Sequence, residues 1–339
     1  MNSITDSTNR KPPPKLALLR LQEMLGLSSP MFGGACALLV FLVVASTTVL
    51  VELKPPGDQV ILGSALFFAS SIGLVASFLK PLLDGANLDL QRLAAVLPES
   101  AIEQTGALRY IDRRPASSQW RSLFVSLIAG LLHSYWLGHL SVLPVIGIPQ
   151  TLVTTLLWIV MLAIAPKLIE NARLFARLGS KAEPDLLRPT RHAAFGTAAL
   201  RPGLLIIGLL SAYGLLFIAD DDPLVGSAWI GFALSLATLV GTVALSLRGI
   251  RRRIREVRIE SLEEIDARLA SLPLRRVAGA GVDELAEIDL LLDMRERIAQ
   301  APGWPFDLAG LQRILLYIVV PPLTWAAAAL VEMVIESIL

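Results

Sequence analysis

The distribution of positive charge between long apolar segments constrains this chain more than any other feature. Seven apolar runs can be read, at 31–51, 60–79, 122–141, 148–166, 202–219, 225–247 and 314–335. If the chain crosses a membrane at each run, all but one of its 30 Lys and Arg residues lie on the same side, and the exception is Lys54. Positive residues are retained on the cytoplasmic side of membranes. The pattern therefore predicts a cytoplasmic N-terminus and an outer C-terminus.

The composition supports a membrane location. Hydrophobic residues make up 54% of the chain and charged residues 17%, which is too apolar for a soluble core of ordinary proportions. The runs have the length that a helix needs to cross about 30 Å of hydrocarbon. They lack the alternating pattern of barrel strands. We therefore expect an all-α, polytopic transmembrane bundle of about seven helices in a bacterial inner (plasma) membrane.

The apolar runs and the segments between them divide the chain into four predicted regions. Residues 1–30 are rich in Pro, Ser, Thr and Asn, and we expect a disordered cytoplasmic tail. Residues 31–247 form a six-helix membrane region, in which short outer loops join the helices into three hairpins. Residues 248–312 form a cytoplasmic segment, and residues 313–339 hold the last membrane helix.

The cytoplasmic segment is predicted to be an antiparallel helical hairpin. Its first helix carries an apolar stripe at Leu262, Ile265, Leu269 and Leu272, and its second at Leu285, Ile288 and Leu292. Pro273, Gly279 and Gly281 break the helix between them. The first helix should be continuous with the sixth run, so that 225–272 would be about 70 Å long. Similarly, Leu168–Leu178 should extend the fourth run, with Gly179 as its stop.

Two predicted membrane helices carry small residues at every fourth position, which places those residues on one face. The second run has Ala65, Ala69, Gly73 and Ser77, and the third has Ser126, Gly130, Ser134 and Gly138. Small side chains let helix backbones approach closely within a membrane. The stripes predict helix packing, either within the chain or between subunits. The alternative is that Ser126 and Ser134 line a polar path.

Two further sets of residues have a predicted physical role. A basic cluster lies just inside the membrane, where anionic lipid headgroups would contribute on the order of 1 kcal/mol per residue; it comprises Arg248, Arg251, Arg252, Arg253 and Arg255. Pro321 and Pro322 lie inside the seventh run and should kink it, because proline removes helical hydrogen bonds.

The sequence gives little support for enzyme chemistry. It has no phosphate-binding Gly-rich loop, no zinc-binding His-Glu-x-x-His pair and no Gly-x-Ser-x-Gly elbow. His133 and His139 are six residues apart, which places them on different helix faces and excludes a paired metal site. We therefore predict no catalytic residue, no metal and no cofactor. The net charge of +1 gives no reason to expect a nucleic-acid partner.

The C-terminal part of the chain carries a motif. Trp304-Pro305-Phe306-Asp307 and Arg313 precede the seventh run, in which Tyr317, Pro321, Trp325 and Glu332 follow. This stretch resembles the ending of uncharacterised bacterial polytopic membrane proteins, in which a charged helical segment precedes a last membrane helix that opens with a similar motif. The resemblance covers about 60 to 90 residues and implies a membrane fold, but no activity or site residue.

These observations favour a non-enzymatic membrane scaffold or sensor that acts through its cytoplasmic hairpin. Its expected partners are membrane lipids and another protein or subunit, bound through residues 248–300 and the small-residue faces. The main alternative is an oligomeric channel or transporter, and a weaker one is a lipid-handling protein. The specific activity, any solute and the oligomeric state are left open by the sequence.

Overall fold

The computed structural model of the protein describes residues 14–50, 57–94, 97–98, 113–141, 144–218, 223–272 and 282–303. Within these ranges the protein is all-helical, with 89% of residues in helices and no β-strand. Lys15 and Arg113 form one isolated antiparallel bridge there. The prediction of an all-α fold is confirmed.

Eight α-helices lie in the described ranges, and three short 3-10 helices accompany them. The α-helices are α1 Ala17–Leu25, α2 Ser29–Leu50, α3 Gly57–Ala94, α4 Ala116–Trp136, α5 Pro144–Ser180, α6 Ala193–Ala212, α7 Pro223–Ser271 and α8 Val282–Gln300. The 3-10 helices are His139–Ser141, Pro189–His192 and Tyr213–Ile218.

Five helical segments in these ranges are long and apolar enough to cross a membrane, and they suggest a membrane location. The segments are Ser29–Ser46, Leu62–Ala94, Gly147–Ser180, Ala193–Leu216 and Gly231–Ser271. The predicted count of about seven is not confirmed. Helix α4 covers most of the third run, but its serines, Gln119, Arg121 and His133 dilute its apolar content. The seventh run lies outside the described residues.

Helix α3 lies at the centre of the bundle. It contacts α1, α2, α5 and α6, and its candidate span is 67% buried, against 22% for the span in α2. The largest apolar core joins α3 to α5, α6 and α7 through side chains such as Leu83, Phe175, Phe195 and Ile250. The position of α3 explains why its side chains supply several of the buried polar contacts described below.

Helix α7 is a single helix of 49 residues, which matches the predicted continuity of the sixth run with the segment that follows it. Helix α8 packs on the second half of α7, around a core of Ile265, Leu291 and Ile298. The predicted stripe of α8 is wrong in register, because Leu285 and Leu292 are exposed. Spacings of three and four residues fit two neighbouring stripes on α8, and only contact with α7 selects the one at Leu291 and Ile298.

The N-terminal region departs from the predicted disorder. Ala17–Leu25 is helix α1, with a left-handed cap at Gly26. Leu16 and Leu19 are buried in the main core, against residues of α3. The polar composition of residues 1–30 was therefore misleading, because a short apolar segment beginning at Leu16 buries enough surface to order the chain there. Residues 1–13 lie outside the described residues.

Candidate functional site

The small residues of α3 form its contact with α2. Ala65 and Ala69 are buried in a core that includes Val40 and Val44 of α2. A Cβ atom built on Gly73 would lie 2.7 Å from the Cβ atom of Ala37. Ser77 packs directly against the backbone at Gly33. Small residues therefore occur on both helices, and they bring the two backbones close together.

The small residues of α4 face α5. Ser126, Gly130 and Ser134 are buried, and a Cβ atom on Gly130 would lie 2.6 Å from the Cα atom of Thr155. The Ser122 hydroxyl donates to the Leu162 carbonyl oxygen at 2.5 Å, and the Ser126 hydroxyl donates to the Ser122 carbonyl oxygen at 2.6 Å. The α4–α5 interface is therefore lined by hydroxyl groups along much of its length.

Gly138 does not belong to this packing face, in contrast to the prediction. Helix α4 ends at Trp136, and Gly138 lies in the following turn with φ +74°. Its backbone N–H donates to the Tyr135 carbonyl oxygen at 3.0 Å. Only glycine adopts this left-handed conformation without strain, so Gly138 serves as the helix stop.

Two glycines that the sequence reading did not assign to packing bring α5 and α7 into backbone contact. A Cβ atom on Gly179 would lie 2.5 Å from the Ile250 backbone nitrogen. One on Gly249 would overlap the Ala176 carbonyl oxygen and lie 2.9 Å from the Ser180 nitrogen. Gly179 was predicted to stop α5, but the helix continues to Ser180, and the glycine is needed for the crossing.

A buried ion pair joins α3 to α6. The Asp89 side chain is fully buried and accepts hydrogen bonds from Arg201 Nε at 2.8 Å and from the Thr197 hydroxyl at 3.0 Å. The Arg201 side chain crosses the helix surface at Gly85, where a Cβ atom would overlap it. Asp89 therefore has a charged partner and a neutral one, as a buried carboxylate requires.

A second charged cluster lies between α4 and α5. Lys167 is buried, and its Nζ atom donates to Glu170 Oε2 at 2.9 Å and to the Arg113 carbonyl oxygen at 3.3 Å. Buried Arg114 donates from Nη2 to the Ser118 hydroxyl at 2.7 Å, and its Nε atom is 4.0 Å from Glu170 Oε1. Glu170 thus links the start of α4 to the middle of α5.

His192 is a buried histidine outside the candidate spans. Its Nε2 atom accepts a hydrogen bond from the Asp185 backbone N–H at 2.8 Å, so the neutral ring carries its proton on Nδ1. Burial lowers the pKa of His192 below its usual range, the charge of Asp185 raises it and that of Arg191 lowers it. The ring closes the turn before α6, and this contact orients Asp185 as well.

The two other histidines have different surroundings. His133 Nδ1 accepts a hydrogen bond from Trp158 Nε1 at 3.1 Å, whereas His139 is buried in the 3-10 helix after α4. Among the described residues, no group of three or more His, Cys, Asp or Glu side chains is arranged to hold a metal ion. His133 instead links α4 to α5 on the side of the hydroxyl-lined interface.

Two arginines of the basic cluster of α7 form ion pairs with glutamates of the same helix. Arg252 Nε is 2.7 Å from Glu256 Oε1, and Arg253 Nη1 is 3.6 Å from Glu256 Oε2 and 3.5 Å from Glu260 Oε1. Arg248, Arg251, Arg252 and Arg255 are exposed, and Arg253 is half-buried. Lipid contact through Arg248, Arg251, Arg252, Arg253 and Arg255 stays a prediction. Pro321 and Pro322, the predicted kink, lie outside the described residues.

The sequence holds a signal for the buried ion pair that the sequence reading missed. Asp89 interrupts an apolar stripe with helical spacing, which comprises Leu82, Leu83, Ala86, Leu90 and Leu93. A carboxylate inside such a stripe must be buried and therefore needs a partner. Thr197 and Arg201 are four residues apart, which places both on the same face of α6. The backbone contact between α5 and α7 at Gly179 and Gly249 has no comparable signal in the local sequence.

No protein family, curated protein or solved structure matches this chain. The class that the described part supports is therefore an all-helical protein with five candidate membrane-spanning helices. Its described polar sites are interhelical contacts, two of them charged and one of them lined by hydroxyl groups.

Proposed function

We propose that the protein is a non-enzymatic scaffold or sensor of the bacterial inner membrane that acts through a cytoplasmic antiparallel helical hairpin. About seven helices would cross the membrane, with the N-terminus inside and the C-terminus outside. One observation carries the proposal: α7 is a single helix of 49 residues. At 1.5 Å per residue it is about 73 Å long, more than twice the roughly 30 Å of the hydrocarbon core.

The charge pattern of α7 supports this division. Its first half is apolar as far as Leu247, and six arginines follow between Arg248 and Arg258. Arginines at the end of an apolar run favour the cytoplasmic interface. The second half of α7 and all of α8 are rich in both acidic and basic residues, as expected of helices in water.

The contacts between α7 and α8 support an antiparallel hairpin. Arg258 donates to the carbonyl oxygen of Ala301, and Asp266 Oδ1 accepts from Arg295 Nε at 2.7 Å. The partner in α8 thus moves toward its N-terminus as the residue in α7 moves toward its C-terminus. Ile265, Leu291 and Ile298 form the apolar seam of this pair. A rod of two packed helices is a suitable shape for a scaffold.

The hairpin keeps apolar surface available on α8. Leu285 and Leu292 are 45% and 50% exposed, and their separation of seven residues places them on one face. An apolar stripe on a charged helix is the surface through which helices associate in water. We assign this stripe as the contact for another subunit or a protein partner.

The test compares a double variant within the stripe with a single variant at an exposed leucine outside it. The double variant Leu285→Ser and Leu292→Ser removes the stripe, whereas Leu290→Ser alters an exposed leucine that is 58% accessible outside it. We expect the purified full-length wild type and Leu290→Ser to form the same assembly in mild detergent, and the double variant to lose it. The assembly is measured by light scattering, with any bound protein identified by mass spectrometry.

Two results would contradict this proposal. One is a double variant that assembles like the wild type. The other is a wild-type protein that is monomeric and binds no protein in mild detergent or in lipid nanodiscs. Either result would mean that Leu285 and Leu292 do not contact another subunit or a protein partner.

The second candidate function is an oligomeric channel or transporter. It is favoured by the hydroxyl groups buried between α4 and α5, since polar side chains within a membrane are often part of solute paths. Purified protein in liposomes would then pass ions or small solutes at a rate above protein-free liposomes. Flux equal to that of the empty liposomes across a panel of ions and neutral solutes would remove this candidate.

A further inference from the structure

Three hydroxyl groups buried between α4 and α5 lack hydrogen-bond partners among the described residues. They are Ser134 Oγ, Thr151 Oγ1 and Thr155 Oγ1. Ser134 is completely buried and Thr155 is 8% exposed. A buried hydroxyl without a partner destabilises a protein, so a group from outside the described residues is needed to bind these three.

The helix register brings the three groups together. Ser122 bonds to the Leu162 carbonyl, and Gly130 contacts Thr155, so the two helices run in opposite directions. One helical turn beyond the Gly130–Thr155 contact, Ser134 of α4 is level with Thr151 of α5. Thr151 and Thr155 are four residues apart and share a face of α5. The hydroxyls therefore lie along one seam between the helices.

Thr154 Oγ1 of α5 is also buried without a described partner, but several other hydroxyls in the apolar helices are satisfied within their own helix. Serine and threonine in a helix usually donate to the carbonyl oxygen of the preceding turn. Ser126 does so at 2.6 Å, Thr242 at 2.7 Å and Ser246 at 2.8 Å. Ser134, Thr151 and Thr155 make no such bond, so their hydroxyls are available to a small polar ligand.

We infer that this seam, lined by Ser134, Thr151 and Thr155, is a binding site for water molecules within the membrane part of the protein. Water suits the site because a buried water molecule needs two to four polar partners, and the seam supplies hydroxyls from both helices. Thr151 is partly exposed although its hydroxyl is buried, so the seam reaches the surface there. Thr151 is seven residues from the start of α5, about 10 Å along the helix. This inference is independent of the hairpin proposal.

Cysteine accessibility tests the inference in the full-length protein. Cys36 is the only cysteine, so Cys36→Ala gives a background without thiols. Thr155→Cys and Ser134→Cys place a thiol in the seam. The matched controls are Leu131→Cys and Leu132→Cys, which lie at the same depths but on the exposed face of α4, with exposures of 50% and 64%. The probe is deuterium oxide, and its exchange with the thiol is followed by the loss of the S–H stretch in the infrared spectrum of the reconstituted protein.

We expect both seam cysteines to react with deuterium oxide at least about ten-fold faster than their controls, because a thiol exchanges its proton through contact with water. Seam cysteines that react no faster than the lipid-facing controls would show that the seam is dry and overturn the inference. Reaction at Ser134→Cys with none at Thr155→Cys would also overturn it, because the deeper hydroxyl would then be without water.

A substitution that removes a hydroxyl group gives an independent test, which is read from the melting temperature. Thr155→Val keeps the shape of the side chain and removes the hydroxyl. If water binds there, the variant loses hydrogen bonds and its melting temperature falls. If the hydroxyl is dry and unpaired, its removal relieves a penalty and the melting temperature rises, which would overturn the inference.

Discussion

Helix α5 makes two interfaces that are built in opposite ways. Against α7 it presents Gly179 and receives Gly249, so backbone meets backbone, with Ile250 completely buried at the crossing. Against α4 it presents Thr151 and Thr155, whose hydroxyls are buried without partners. The first interface leaves no space for an added atom, and the second leaves polar groups for a ligand to bind. One helix therefore combines a rigid crossing with a seam that accepts water.

The rigid crossing gives the largest expected effect. Gly249→Ala adds a methyl group that overlaps the Ala176 carbonyl oxygen, and the backbone on both sides has no room to move. We expect a loss of about 3 kcal/mol or more in the free energy of unfolding. The matched control is Gly241→Ala, also in α7, because no atom lies within 4 Å of its added Cβ. Melting curves in mild detergent measure both, and equal curves would mean that the crossing is looser than described.

The ion pair between α3 and α6 tests how strongly the stability of an interface depends on each partner of a buried charge pair. Arg201→Gln leaves the fully buried Asp89 carboxylate with only the exposed Arg92, 3.9 Å away, as a charged partner, whereas Asp89→Asn leaves an Arg201 side chain that is 33% exposed and reaches water. After allowance for that exposure, we expect Arg201→Gln to destabilise the protein by about 2–3 kcal/mol, and Asp89→Asn by less. The order of the two losses in thermal or denaturant unfolding is the measurement. The reverse order would mean that Asp89 is solvated.

The α4–α5 interface should tolerate added volume better than the crossing does. Gly130→Ala places a methyl group 2.6 Å from the Thr155 Cα atom, which is a less severe overlap than the one at Gly249. We expect a loss of about 1–2 kcal/mol, smaller than for Gly249→Ala. Gly34→Ala in α2, with no atom within 4 Å of the added Cβ, is the control. A larger loss for Gly130→Ala than for Gly249→Ala in the same unfolding assay would reverse the comparison between the two interfaces.

The smallest expected effect is the dependence of stability on pH at His192. Because burial lowers the pKa of His192 in the folded state, the unfolded chain binds more protons between that pKa and the ordinary histidine pKa of 6.5. The stability is therefore fully present above about pH 6.5 and is lost as the pH falls through the folded pKa. His192→Gln keeps an acceptor for the Asp185 N–H and should remove this part of the slope. An unchanged slope in the variant would assign it to other groups.

The apolar runs and the breaks between them were sufficient to predict much of the secondary structure. The continuous α7, with Ile265 and Leu269 on its inner face, follows from local periodicity, and so do the small-residue faces of α3 and α4. The register of α8 does not, because Leu285 and Leu291 both fit a helical stripe. The end of α4 at Trp136 was also missed, since Gly138 fits both a packing stripe and a helix stop.

The sequence by itself determined that this chain is helical and apolar, and where its charged segments lie, because helix length and residue spacing are local properties. Tertiary structure decided which residues matter for contact. Gly249 is a packing residue because Ala176, 73 positions earlier, lies against it; Asp89 is stabilised because Arg201 follows 112 positions later. Such pairs depend on how helices are arranged in space, and the identity of a residue's distant neighbour is not contained in its local spacing.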